Sequence, residues 1–358
     1  MFSIRDGLSL DDILLAPKYS EIKSRSNVDT SVTIKGIKYS HPIIPANMQS
    51  ITGEKMADAV VRSGGLAIVH RFMPIEDQLK IIDTLDFNIN NKLCLNFDGQ
   101  PIDEQIHVLD YLAFSVGVKK EDKENVRRFI NKGVKILCID IAHGDSKNAI
   151  EMTEFIRWHY PDTTIIAGNV ATSSGAKRLW DSGADVVKVG IGSGSLCTTR
   201  IATANGVPQL TALMDVATAR EEYELNSNRK VYVIGDGGIR NSGDCTKSLC
   251  LCDMVMCGAI FAGALETPGN IFSFNKETTY KEYRGSSTHK TNHIEGIVSM
   301  VPTKGSFESI LNKLLEGIRS GCAYQNVDNL VDLRESPEFI KITNSGLIES
   351  RPHIDGLK

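Results

Sequence analysis

The feature that most constrains the fold of this chain is an alternation repeated along most of its length: a short, unbroken apolar run, then an amphipathic stretch of roughly ten to fifteen residues. The apolar runs predict strands over 42–46, 65–70, 112–116, 134–140, 164–168, 184–189, 231–236 and 252–258. Helices are predicted over 53–62, 75–84, 120–131, 146–159, 175–181, 207–222, 243–249 and 307–321. Strands that are apolar throughout, rather than at alternate residues, must be covered on both faces, as in a parallel sheet wrapped by helices. Eight such units predict an α/β fold of one domain, a TIM (β/α)8 barrel.

Four segments stand outside the repeat. Residues 8–20 read as an irregular lead-in, and 28–40 as a hairpin turning at Lys35-Gly36. Residues 85–111, with Asn88, Asn90, Asn91 and the run Asn96-Phe-Asp-Gly, form a polar insertion too long for a simple loop. Residues 268–304 follow the eighth strand, and loops after barrel strands carry the site, so this segment is expected to be a flap over it.

A chain of 358 residues with a net charge of -4 offers no basic footprint for nucleic acid or an anionic membrane surface. No apolar run reaches the ~20 residues of a membrane span. The start, Met1-Phe-Ser-Ile-Arg-Asp6, lacks the basic and apolar regions of a signal peptide, so a cytoplasmic protein is expected. Cys245, Cys250, Cys252 and Cys257 are clustered without the paired knuckles of a zinc site, and are expected as reduced core residues.

The residues that carry chemistry fall at the predicted strand ends. The run Lys188-Val-Gly-Ile-Gly-Ser-Gly-Ser-Leu-Cys-Thr-Thr-Arg200 leaves the sixth strand through Gly190, Gly192 and Gly194. A glycine loop of this kind can wrap an anion or a metal with its amides and carbonyls. It ends on Cys197, where a thiolate can attack an electrophilic carbon, with Thr198 and Thr199 beside it to orient water or a leaving group. Taken alone, a single cysteine such as Cys197 is more often core filling than a nucleophile.

Four other ends converge with it: Asp140 to Ser146, Gly168-Asn169, Asp236-Gly-Gly-Ile-Arg240 and Gly258-Ala259. Phosphate sites in this fold are built by the loops after strands seven and eight. Gly237, Gly238 and Gly258 offer close-approach amides there, Ser195 a hydroxyl, and Asp236 can accept from both hydroxyls of a ribose. A nucleoside monophosphate is the natural ligand. The blander alternatives are Asp236 as a turn aspartate, Asn169 as a cap, and Asp140 with His143 as a paired strand end.

Together, the runs Gly192-Ser-Gly-Ser-Leu-Cys-Thr-Thr-Arg200, Gly206-Val-Pro-Gln-Leu210, Asp236-Gly-Gly-Ile-Arg240, Ala167-Gly-Asn-Val170 and Pro45-Ala-Asn-Met-Gln49 closely resemble the inosine monophosphate dehydrogenase and guanosine monophosphate reductase family. The resemblance covers nearly the whole chain in the family's order. It implies a homotetramer of TIM barrels in which Cys197 attacks C2 of a purine. It implies Ser195, Gly237, Gly238 and Gly258 near the phosphate, Asp236 on the ribose, Met48 and Asn47 by the base, and Tyr283 and Gly285 completing the substrate site. Asp140, Ala142 and Asn169 would face a nicotinamide cofactor. The loop from Gly192 through Gly194 to Cys197 resembles the family's monovalent-cation loop, with K+ as the implied ion.

Dehydrogenases of this family usually carry an inserted regulatory domain pair, and only 85–111 occupies that place here. They also use a flap with a water-activating Arg-Tyr pair, and no such pair follows Gly285 before Lys304. Val69-His-Arg-Phe72 and Tyr280-Lys-Glu-Tyr-Arg-Gly-Ser286 look more like the bacterial reductases, whereas the tail from Ile342 to His353 resembles the dehydrogenases. The reductases' flap glutamate, which works with the counterpart of Thr199 on departing ammonia, falls at His289, and an imidazole can also shuttle protons. The expectation is therefore a GMP reductase that uses NADPH to convert GMP to IMP and ammonia. The alternatives are an IMP dehydrogenase lacking the regulatory domains, using NAD, and a non-catalytic regulator that binds purine nucleotides.

Overall fold

The computed structural model describes residues 4–90, 107–273, 278–285 and 297–351. Eight parallel strands form one sheet: β1 (Ile43–Pro45), β2 (Ala67–Val69), β3 (Leu112–Val116), β4 (Ile136–Asp140), β5 (Thr164–Val170), β6 (Val186–Val189), β7 (Tyr232–Asp236) and β8 (Met254–Cys257). Hydrogen-bonded ladders run from β2 in chain order to β8, and from β8 to β1. β1 and β2 lie against each other without a ladder, so the sheet curls almost fully into the expected barrel.

The helices wrap the outside: α1 (Glu54–Arg62), α2 (Ile75–Asn90), α3 (Asp122–Asn131), α4 (Lys147–His159), α5 (Ser173–Asp181), α6 (Gln209–Ser227), α7 (Ser242–Leu249) and α8 (Phe307–Tyr324). Each starts where its sequence supplies an apolar stripe, and several have a side-chain cap. Thr172 accepts from the Gly175 amide at the start of α5, Asn241 from Asp244 at α7, and Ser306 from Ser309 at α8. Each such cap contributes about 1 kcal/mol.

The structure departs from the sequence reading in three places. α2 runs on to Asn90 rather than stopping at residue 84, because Gln78, Ile81, Ile82 and Leu85 continue one buried stripe at helical spacing. Of the insertion expected over 85–111, the end of α2 and a short helix at Val108–Tyr111 are seen, and 91–106 lie outside the described residues. The lead-in at 8–20 is not irregular throughout. Ile13–Leu15 forms a strand paired antiparallel with Phe339–Lys341, a partner too distant in sequence for local patterning to show.

The hairpin is confirmed as Val32–Ile34 and Ile37–Tyr39, with Lys35 and Gly36 both at positive φ, 47° and 84°. After β8 the chain makes a three-stranded antiparallel sheet of β9 (Phe272–Ser273), β10 (Thr279–Arg284) and β11 (Val298–Pro302). Cys245, Cys250, Cys252 and Cys257 are buried free thiols. Among the described residues, no helix is long and apolar enough to cross a membrane.

Two histidines are locked in the interior as neutral rings. The His41 Nδ1 accepts the Ile43 amide and its Nε2 meets Ser63 Oγ at 2.9 Å, while His70 Nδ1 accepts the Phe72 amide at 3.0 Å. Burial pushes His41 down to about 3. Burial also pushes His70 down to about 4, against the opposing pull of Asp140. Both protonate more readily in the unfolded chain, so their contribution to stability is complete above about pH 6.5 and is lost as pH falls toward about 4 for His70 and about 3 for His41. The expected slope is about 1.4 kcal/mol per pH unit for each ring. Urea midpoints of wild type and His41→Gln measured across this window should show a flatter pH dependence in the variant; parallel curves would refute the assignment.

Candidate active site

The C-terminal ends of the strands open into a two-lobed cleft. One lobe, about 280 Å³, is lined by Asp140, Ala142, Asn169, Gly192, Cys197, Thr199 and Gly285 among others. The other, about 260 Å³, is lined by Ser195, Gly238, Gly258 and Tyr283. Met48, Ser193, Gly194, Asp236 and Gly237 belong to both lobes and form the passage between them.

The loop after β6 is held by its own glycines and by two long side chains. At Gly190, φ is 155°, and a Cβ there would overlap the Asp236 carbonyl oxygen. Gly192 (φ 79°) and Gly206 (φ 153°) clasp the Arg200 side chain, whose Nη2 donates to the Val207 carbonyl at 2.6 Å. Ser193 Oγ donates to Gln209 Oε1 at 2.8 Å, and Gln209 Nε2 donates back to the Val189 carbonyl at 2.8 Å. Gln209 is buried, so this bridge fixes the loop to the start of α6.

Cys197 follows a turn in which its amide donates to the Gly194 carbonyl at 3.0 Å. Its half-buried thiol faces Thr199 Oγ1 at 3.1 Å. In the thiolate form the same contact reverses, with the threonine hydroxyl donating to sulfur. Of the carbonyls expected to hold K+, that of Gly194 thus already accepts one hydrogen bond within the loop.

Across the cleft, β5 carries a register shift between Gly168 and Val170 that leaves Asn169 as the extra residue. A bulge of this kind re-aims a side chain. Here Asn169 Nδ2 donates to the Gly190 carbonyl and to Asp236 Oδ2, both at 2.8 Å. Lys188, on β6, sits beneath with its Nζ 3.2 Å from Asp140 Oδ1 and 3.4 Å from Asp236 Oδ2. Burial opposes its charge, but the two carboxylates outweigh that and hold its pKa above the usual lysine value.

The flap sheet closes the second lobe. Tyr283, on β10, meets Ser195 Oγ at 3.3 Å, and burial raises the pKa of its phenol. Its OH would stand 2.7 Å from any Cβ at Gly258, so a glycine there keeps the passage open. The flap is also tied to the cysteine loop, since the Ile297 amide donates to the Leu196 carbonyl at 3.2 Å.

The described residues given substrate, cofactor, cation or nucleophile roles therefore come together on this cleft, including Met48 and Asn47, whereas Thr198 and His143 are not among its lining residues. His289 lies outside the described residues. Sequence reasoning assigned no role to Lys188, Gln209, Ser193 or Arg71. For Lys188 a signal existed, because a lysine well inside an apolar strand run must find partners when buried. Ser193 and Gln209 gave none, as their contact depends on how the loop folds back. Among the described residues, no group of three or more His, Cys, Asp or Glu side chains is set to hold a metal ion.

Residues 7–353 match the family model described as the IMP dehydrogenase / GMP reductase domain. The chain belongs to this family. Its relatives include the inosine-5'-monophosphate dehydrogenase of Nitrosopumilus maritimus, 32% identical over 475 aligned positions that cover 98% of each chain. That of Borreliella burgdorferi is 34% identical over 400 positions, covering 98% of this chain and 97% of the relative. That of Streptococcus pyogenes is 39% identical over 67% of this chain and 51% of its own length. The barrel just described is thus an oxidoreductase of the IMP dehydrogenase / GMP reductase family.

The geometry makes Gly190 the least replaceable glycine of the loop. Gly190→Ala should lower stability by roughly 2–3 kcal/mol, through both backbone strain and collision with the Asp236 carbonyl. A urea midpoint within experimental scatter of wild type would show that the loop has another conformation to adopt.

Proposed function

We propose that this chain acts on a purine nucleoside monophosphate through a covalent bond between Cys197 Sγ and C2 of the base, and that it runs as an IMP dehydrogenase, oxidising IMP to XMP with NAD. The observation that carries the covalent step is the Cys197–Thr199 pair, 3.1 Å apart and facing the cleft beside the passage between its lobes. The direction is supported by the name that the relatives bear. The alignment to the N. maritimus relative is longer than the 358 residues of this chain, so that relative carries segments missing here. The B. burgdorferi relative, aligned over 400 positions, has room for far less extra sequence and bears the same name. A missing regulatory insertion therefore does not point away from a dehydrogenase.

In this reading the Cys197 thiolate bonds to C2, and C2 then loses its hydrogen with the electron pair. Water adds to C2 with loss of one proton to solvent, the carbon–sulfur bond breaks and the thiolate returns. Thr199 holds the sulfur by its hydroxyl and orients that water. Asp236 takes the ribose hydroxyls, while Ser195 and the amides of Gly237, Gly238 and Gly258 take the phosphate. The lobe beyond Cys197 presents the Phe72 ring with the Arg71 guanidinium 4.6 Å above it, together with Asp140, Ala142 and Asn169, surroundings that suit a flat heteroaromatic ring. A bound nicotinamide supplies the hydride acceptor in this direction, as NAD, or the hydride donor in the reverse sense, as NADPH.

The second reading is the GMP reductase, in which ammonia leaves C2 with help from Thr199 and His289. It is favoured by the absence of an Arg-Tyr pair between Gly285 and Lys304. The single-domain organisation, the homotetramer and the loop-bound K+ go with either reading and rest on the family resemblance.

The two readings separate in one experiment, the near-ultraviolet absorbance of reduced nicotinamide followed in potassium buffer. A rise with IMP plus NAD is the expected outcome; a fall with GMP plus NADPH, and no rise in the other mixture, would assign the reductase instead. Cys197→Ala should abolish either signal and leave nucleotide affinity nearly unchanged. Thr199→Ala should slow turnover by roughly 10²-fold, and an unimpaired Thr199→Ala enzyme would remove that residue from the mechanism.

A further inference from the structure

Lys188 occupies a core position with a full charge. It lies on β6 at 2% exposure, and its three N–H groups meet three oxygens: Asp140 Oδ1 at 3.2 Å, Asn47 Oδ1 at 3.3 Å and Asp236 Oδ2 at 3.4 Å. These partners come from the ends of β4, β1 and β7, so one side chain ties together three separate walls of the barrel mouth. Room for it comes from Gly168, where a Cβ would stand 2.7 Å from the Lys188 Cβ. The amide of Asn47 is oriented from its other end, since its Nδ2 donates to Ser115 Oγ at 2.8 Å.

Each of the two carboxylates gives one oxygen to this cation and keeps one back. Asp236 Oδ2 accepts from both Lys188 and Asn169. Asp140 Oδ1 accepts from Lys188, while its Oδ2 stands 3.9 Å from Arg71 Nε, beyond hydrogen-bond reach. Among the described residues neither Asp236 Oδ1 nor Asp140 Oδ2 accepts a hydrogen bond, and both aspartates line the cleft. Without the lysine, two carboxylates facing one buried space would repel each other, and one would turn away or take up a proton.

We propose that Lys188 is a positioning residue for hydroxyl recognition: it locks both carboxylates so that Asp236 Oδ1 faces the hydroxyl pair of the nucleotide ribose and Asp140 Oδ2 faces the cofactor side of the cleft. This rests on the nucleotide reading given above. A lysine that merely filled the core would affect stability and leave sugar selectivity alone; a lysine that aims Asp236 controls selectivity.

The test is calorimetric binding of IMP and of 2′-deoxy-IMP to the full chain, with melting temperatures recorded alongside. Hydrogen bonds to a charged acceptor predict that wild type prefers the ribonucleotide by roughly tenfold or more. In Lys188→Met that preference should collapse toward unity through loss of IMP affinity, with 2′-deoxy-IMP binding little changed. Adding Asp236→Ala to Lys188→Met should cost no further affinity. Lys188→Gln, which keeps a donor without the charge, is the second variant should the methionine protein fail to fold, and should show a clearly reduced preference. Either variant with the full wild-type preference would overturn the inference, whatever its melting temperature. Wild-type protein that binds neither nucleotide would instead overturn the functional reading from which the inference starts.

Discussion

Every residue of β2, β3 and β6 is buried, and that single constraint organises the molecule. A strand whose two faces both leave water needs cover outside and neighbours inside, which the ring of helices and the curled sheet supply together. Once the strands are parallel and curled, all their C-terminal ends point to one side. Residues far apart in sequence, among them Asp140, Asn169, Lys188 and Asp236, then meet within hydrogen-bond distance.

The top of the barrel interior departs from the apolar rule that holds below it. A buried ammonium there is tolerable only because oxygens from three strands surround it, and the carboxylates are tolerable beside one another only because of the ammonium. The Cys197 loop is then built on this floor, with Gly190 against the Asp236 carbonyl and Asn169 bonded to the Gly190 carbonyl. The placement of the Cys197 sulfur thus depends on an ion network that does not itself touch it.

The flap adds a second link. Tyr283 reaches Ser195, Ile297 bonds to Leu196, and both contacts land on the loop that carries Cys197. Position of the flap sheet and position of Cys197 are therefore set jointly. Lys281, buried on β10 and donating to the Leu265 and Thr267 carbonyls, anchors that sheet to the segment leaving β8.

Strand order, helix placement and the glycine loop that follows β6 were legible in the sequence, because each is written in local periodicity or in a compact run such as Gly-Ile-Gly-Ser-Gly. Local text also carried the Lys35-Gly36 turn, since two successive positive φ values demand residues that tolerate them. What only the tertiary structure decided are the pairings between distant segments: Ile13–Leu15 with Phe339–Lys341, Ser193 with Gln209, and Lys188 with three partners on three strands. Periodicity reports which face of an element leaves water, and so it places a side chain inside. It cannot report which polar atom awaits that side chain there, because that partner is chosen by how the whole ring closes.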